Sequence, residues 1–406
     1  MHGRSGSTSV PRMGDLNAFR EDARRWLDAH APQSMRTPPA SADDVCWGGK
    51  KGRYSDDTLR WLAVMAERGW TAPTWPREYG GGGLSKEEAK VLAEEMAKQK
   101  LRPALIGFGL EMIGPLLLQT GNEEQKREHL PRIVRGEIRW CQGYSEPGAG
   151  SDLAGLQTRA VRDGDDYILN GQKVWTSYGD KSDWMFILVR TDTTQKQGGI
   201  TFLLMDMESP GVQVRPIKLI SGASPFCETF LTDVRVPRRN VVGQENGGWN
   251  IAKMLLRFER NMIADAFKAR DDRSRLLRMA RKYLPSDGDG RLQDAVLRDR
   301  LTQVELDQLA LDLTLSRSRD RLKAGQPPGP EASIFKLCGT ELNQRRRELM
   351  VALAGPQALG WEGPGFSDEE LALTRDWLRS RGNTIEGGTS EVQLNIIAKN
   401  VLELPD

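Results

Sequence analysis

The stretch Ser145-Glu146-Pro147-Gly148-Ala149-Gly150-Ser151-Asp152 decides how the rest of the chain is read. Its proline and two glycines exclude a helix interior and a core strand. It reads as a rigid turn where backbone can approach a ligand and the Ser145 and Ser151 hydroxyls can hydrogen-bond. An ordinary Gly/Pro turn is the competing reading of these residues alone. Further along, Trp175-Thr176-Ser177 closes a strand-like run over 167–175. Two polar loops, each beside a strand, can converge on one flat polar ring.

Outward from this turn, the texture divides the chain. From about residue 137, short or alternating apolar runs at 167–169, 185–189, 200–205, 212–216 and 230–236 predict a β-domain reaching to 246. Before it the spacing is helical. Leu16, Phe19, Ala23, Trp26 and Leu27 share one face of a helix over 15–30, and residues 56–68 repeat the pattern. Turn formers dominate 69–84. Ser85 then caps a helix to about residue 100, with Glu88 completing a capping box. Helices are also expected over 106–119 and 122–135. After 247, long amphipathic helices are expected over 250–284, 291–322, 331–353, 368–381 and 390–402, a part resembling a four-helix bundle. The fold class is mainly α with a central β-domain. Its expected parts are a disordered tail (1–14), an N-terminal helical domain (15–136), a β-barrel-like middle domain (137–246) and a C-terminal helical bundle (247–406).

The 406 residues are 38% hydrophobic and 28% charged, with a net charge of +2. That balance points no strong field at nucleic acid or a membrane. No apolar run approaches the length of a membrane span. Cys46, Cys141, Cys227 and Cys338 are scattered, at neither metal nor disulfide-scaffold spacing, so a reducing compartment fits. A bacterial cytoplasm is the first expectation and a mitochondrial matrix the second. The histidines are His2, His30 and His129, which argues against a Ser-His-Asp hydrolase or a His-ligated metal centre. Acid–base work would fall to a carboxylate, lysine, tyrosine or cofactor.

Two carboxylates stand out. Glu259 has Leu255, Leu256, Met262 and Ile263 at the positions one turn away, all apolar. A carboxyl on an inward stripe is pushed toward a higher pKa by desolvation and becomes a better base near neutral pH. A structural ion pair with Arg257 or Arg260 is the competing reading. Glu386 lies in Asn383-Thr384-Ile385-Glu386-Gly387-Gly388-Thr389-Ser390, ahead of the last helix. It is a second candidate base, with a loop carboxylate near a helix start as the favoured alternative. Ser390 through Gln393 fits a capping box. The paired glycines would expose backbone N–H groups to an oxyanion or phosphate.

These residues resemble the acyl-CoA dehydrogenase family from about residue 15 to the C-terminus. The markers are Pro76-Arg77-Glu78-Tyr79-Gly80-Gly81, the 145–152 turn, Asn170-Gly171-Gln172-Lys173-Val174-Trp175-Thr176-Ser177 and the segment 387–395. Their order and spacing together are specific. The resemblance implies noncovalent FAD, with its ring between the β-domain and the C-terminal helices. Gln142, Tyr144, Ser145, Gly150 and Ser151 would line flavin, Ser151 also facing substrate. Trp175 and Thr176 would flank the ring, and Ser177 would bond near its reactive nitrogen. Thr389 and Glu391 would meet the phosphate or ribityl region.

In this family the catalytic glutamate either directly precedes the Gly-Thr of the last helix or sits in a Glu-Arg pair on the first bundle helix. Here the first position is Gly387, and Glu386 is one residue too early. Glu259-Arg260 matches the second, as in long-chain and isovaleryl-type members. The resemblance therefore implies Glu259 as the α-proton base and Gly387 as an N–H donor to the thioester carbonyl. Arg260 would lie on the substrate side, hydride would pass to flavin N5, and an electron-transfer flavoprotein would take the electrons.

Two departures follow. The family's Arg-x-x-Phe-Gly motif would fall at Pro285-Ser286-Asp287-Gly288-Asp289 and is absent. A later Phe-Gly-Gly element survives only as Leu353-Ala354-Gly355-Pro356. Both normally reach a neighbouring subunit's FAD, so the expected assembly is a homo- or hetero-dimer or tetramer. A paired or noncatalytic subunit and a flavin monooxygenase or oxidase on the same fold are the alternatives.

Overall fold

The computed structural model describes residues 13–39, 44–256, 270–326 and 329–405. Helices, then strands, then helices follow one another in the expected order. Contacts gather the chain into two units. The first holds residues up to Ala149, Ala154–Arg215 and Cys227–Leu255, and the second holds Gly150–Leu153, Pro216–Phe226 and the chain from Leu256.

In the first unit, helices α1 (Met13–His30), α2 (Asp56–Glu67) and α3 (Lys86–Lys98) surround Ala23, Leu27, Trp61, Met65 and Leu92. The predicted tail 1–14 lies outside the described residues up to 12, and α1 begins at Met13. Ser85 caps α3 as expected: its hydroxyl accepts from Glu88 N at 3.1 Å, while the Glu88 carboxylate accepts from Ser85 N at 2.8 Å. The helix expected over 106–119 splits into a π turn, Gly109–Ile113, and α4 (Gly114–Thr120). Glycines at each end of that turn let neighbours close in. A Cβ on Gly114 would lie 2.0 Å from the Trp75 ring. Helix α5 (Glu123–Val134) opens on an Asn122–Gln125 capping box.

Seven strands form one sheet in the order β1-β4-β2-β3-β7-β6, with β5 added to β4. They are β1 (Trp140–Gly143), β2 (Arg159–Asp163), β3 (Asp166–Ser177), β4 (Trp184–Arg190), β5 (Ile200–Asp206), β6 (Val212–Ile217) and β7 (Phe226–Pro237). Every residue of β4 is buried, and β4 pairs parallel with β1 and antiparallel with β5. Residues 248–256 are helical up to the edge of the described chain.

The second unit carries α6 (Arg270–Tyr283), α7 (Ala295–Lys323), α8 (Ala332–Ala354), α9 (Asp368–Ser380) and α10 (Ser390–Asn400). Leu276, Leu301, Leu342, Leu349, Met350 and Leu373 fill its core.

Candidate functional site

The 145–152 turn is tied down from several sides. Glu146 and Ala149 exchange both backbone hydrogen bonds at 3.0 Å, closing it. Val174 N donates to Ser145 O at 2.9 Å, so the turn lies against the end of β3. Beneath it, Lys173 Nζ donates to Glu146 Oε1 at 2.7 Å and to Tyr144 O at 3.1 Å. The Glu146 carboxylate also accepts from Gln157 N at 2.6 Å and Thr158 N at 2.8 Å. Burial works to raise the Glu146 carboxyl, but Lys173 and these donors hold it below its ordinary value. Burial pushes Lys173 down to about 8 against the pull of Glu146. The sequence reading missed this pair. The signal was available: Tyr167, Leu169 and Lys173 share one parity along β3, and all three are buried.

Trp175 has that same parity and ought to point inward. Instead its φ is +61°, a left-handed conformation that costs a bulky residue about 1 kcal/mol or more. The break flips the alternation. The Trp175 indole is 55% exposed, and Thr176 goes fully into the core, its hydroxyl 3.4 Å from that of Thr229. The Thr176 side chain is thus committed to packing, and only its backbone faces the loop. Ser177 is half-buried, and Tyr178 is again left-handed with φ +51°. Gln142 lies on β1, half-buried, in register with Phe186. The Tyr144 ring packs edge-on against Phe186 and Phe202, leaving its backbone as the loop-facing part.

Gly150, Ser151 and Asp152 are exposed and belong to the second unit. There, Gly387 and Gly388 are left-handed, with φ of +67° and +92°. Glu386 is held on both oxygens, by Arg379 at 2.7 Å and Asn383 at 2.5 Å. Asn383 in turn accepts from Asn343 at 2.8 Å and, through its carbonyl, from buried Lys336 at 2.9 Å. Glu386 is therefore part of a structural network. The capping box expected from Ser390 to Gln393 does not form. Thr389 is the cap, accepting from Val392 N at 3.2 Å, and the Gln393 amide donates to Gly387 O at 3.1 Å. A Cβ on the left-handed Gly388 would lie 2.5 Å from Gln393 Nε2. Ser390 Oγ and Gln393 Oε1 are buried and, among the described residues, have no hydrogen-bond partner. Glu391 is exposed in the first turn of α10.

Glu259 and Arg260 lie outside the described residues. Just before them Leu255 is fully buried. Residues 285–289 form a loop in which Asp287 accepts from Arg291 N at 2.8 Å.

Models of the acyl-CoA dehydrogenase N-terminal, middle and C-terminal domains match residues 15–137, 141–234 and 246–402. The chain belongs to the acyl-CoA dehydrogenase family and is an enzyme of that class. It is 34% identical to acyl-CoA dehydrogenase IpdE1 of Mycobacterium tuberculosis over 97% of this chain and 99% of that protein. Acyl-CoA dehydrogenase FadE34 of the same organism is 38% identical over 84% of this chain and 46% of its own length. Among solved structures, the Tcur3481-Tcur3483 steroid ACAD superposes with a TM-score of 0.76 at 28% identity, covering 98% of this chain and 100% of that one. The ChsE4-ChsE5 complex from Mycobacterium tuberculosis gives 0.72 at 29%, also over 98% and 100%. No helix of the described residues is long and apolar enough to cross a membrane.

Proposed function

We propose that the chain carries out FAD-dependent α,β-dehydrogenation of an acyl-CoA thioester to the trans-2-enoyl-CoA. The observation that carries this reading is Trp175: an indole held open by left-handed backbone, with the Ser145 turn bonded to the preceding residue. Strain of this kind persists where function uses it. The residues fit the cofactor. Trp175 offers a flat apolar face, Ser145, Ser151 and Ser177 offer hydroxyls, and Gln142, Tyr144, Gly150 and Thr176 offer backbone groups. Thr389 and Ser390 lie at a helix N-terminus suited to phosphate. Glu391, as a carboxylate, suits a ribityl or ribose hydroxyl and not the phosphate. Bound FAD supplies a hydride acceptor at N5.

Glu259 removes the α-proton, and Gly387 N–H holds the thioester carbonyl oxygen, acidifying that carbon. Arg260 and Ser151 face the substrate. Glu386 is bonded on both oxygens, by Arg379 and Asn383, which favours Glu259 over it as the base. An electron-transfer flavoprotein receives the electrons.

The relatives favour a bulky, ring-bearing acyl group and an assembly of unlike subunits, since one solved neighbour is a steroid acyl-CoA dehydrogenase pair and another a two-component complex. The absent Arg-x-x-Phe-Gly motif fits a partner that completes the flavin site. The test is anaerobic bleaching of bound flavin by short, long, branched and steroid-type acyl-CoAs. Glu259→Gln should keep the flavin and lose bleaching, and Glu386→Gln should still bleach. The reverse result sinks the assignment. A chain that is colourless alone and yellow with its partner supports the paired form.

A further inference from the structure

We propose that Lys173 and Glu146 are a positioning couple that locks the Ser145 turn to the strand end bearing Trp175, so that both walls of the flavin face are set before cofactor binds. The inference rests on the flavin reading above. Tyr144 and the first two residues of the turn are gripped by two consecutive residues of β3. Tyr144 O and the Glu146 carboxylate both accept from Lys173 Nζ, at 3.1 and 2.7 Å. Between them Ser145 O accepts from Val174 N at 2.9 Å. The next residue is Trp175.

The same carboxylate closes the far side of the loop. It accepts from Gln157 N and Thr158 N, so the chain leaving the turn is pulled back under it. Arg190 then fixes that departing segment by donating to Ala154 O at 2.6 Å and Leu156 O at 3.2 Å. Lys173 is fully buried and Glu146 8% exposed. A buried ion pair is weak support for stability, because desolvation offsets its attraction; its use lies in fixing one arrangement. Here the fixed arrangement joins the two segments that carry Ser145 and Trp175.

The pair can be removed without stranding a charge. In Glu146→Gln/Lys173→Met no ion is left buried, and the amide carbonyl keeps one of the two backbone donors, since Gln157 N bonds Oε2 and Thr158 N bonds Oε1. With the full chain, and its partner if colour requires one, FAD affinity and the visible flavin band are compared with wild type, alongside the melting temperature of the apoprotein. The expected result is affinity weaker by about tenfold or more, a blurred visible band, and melting within a few degrees of wild type. Equal affinity with an unchanged band overturns the lock while leaving the flavin reading intact. A wild-type chain that takes up no FAD in any assembly overturns both. If the double variant does not fold, Lys173→Met alone decides, because the Glu146 carboxylate keeps its Gln157 and Thr158 donors: loosened FAD is expected, and unaltered affinity and band refute the lock.

Discussion

The His129 ring stands edge-on to the Trp184 indole, centroids 4.6 Å apart, and edge-on to Trp140 at 5.2 Å. Among the described residues neither imidazole nitrogen has a hydrogen-bond partner. Burial, with a lesser push from Arg132, lowers its pKa to about 4. The unfolded chain, near 6.5, takes up this proton first. Stability is therefore whole above pH 6.5 and is lost as pH falls toward 4, by about 3 kcal/mol. His129→Phe should flatten that part of the curve and raise stability at pH 5 relative to wild type. Urea midpoints at pH 7.5 and 5.0 for both proteins check it, and parallel losses would refute it.

The helices were legible because their signals are local. Ser85 with Glu88, and the stripe through Ala23 and Leu27, lie within a few turns of one another. Strand β1 was not legible, since it is a short run buried on nearly every residue and has no alternation to show. Strand β2 has one buried residue in five and also escaped. The turn and Trp175 were recognised from composition, but the Glu146–Lys173 tie was not. Its partners are 27 residues apart, and nothing local to Glu146 announces a buried lysine. The parity of β3 placed Lys173 inward, yet it also placed Trp175 inward. Only backbone geometry separates the two.

Glu95 is 1% exposed and accepts from Arg24 at 3.0 Å, Lys98 at 2.7 Å and Arg20 at 2.8 Å, joining α1 to α3. Burial alone would raise its pKa; the three cations outweigh it and bring it to about 2. With the folded value depressed, its contribution is present above pH 4.5 and lost as pH falls toward 2. The cations are partly solvated, so Glu95→Gln should cost about 2 kcal/mol at pH 7. That cost should vanish near pH 2. A cost that persists there would mean packing, not charge, holds the residue.

Gly114 is pressed by Trp75. An added Cβ would lie 2.0 Å from the ring and 2.6 Å from Gly109 O across the π turn. Gly114→Ala should destabilise by about 2–3 kcal/mol. Trp75→Phe opens the space, so the double variant should lose clearly less than the two single costs added together. Chemical denaturation of the four proteins gives the coupling. Strict additivity would show that the ring does not set the turn.

Trp175 separates stability from function. Deleting a buried tryptophan costs about 3–5 kcal/mol. This indole is 55% exposed, and its backbone sits at φ +61°, where glycine is at ease. In Trp175→Gly, relief of roughly 1 kcal/mol of left-handed strain offsets the lost contacts and the added chain entropy. Apoprotein stability should therefore move by less than about 1 kcal/mol, while FAD binding weakens because the ring has lost its flat neighbour. Urea unfolding of the apoprotein beside an FAD titration reads both quantities. A loss of about 3 kcal/mol or more would show that Trp175 is a core residue. In that case its exposed, strained placement could no longer be what marks the flavin face.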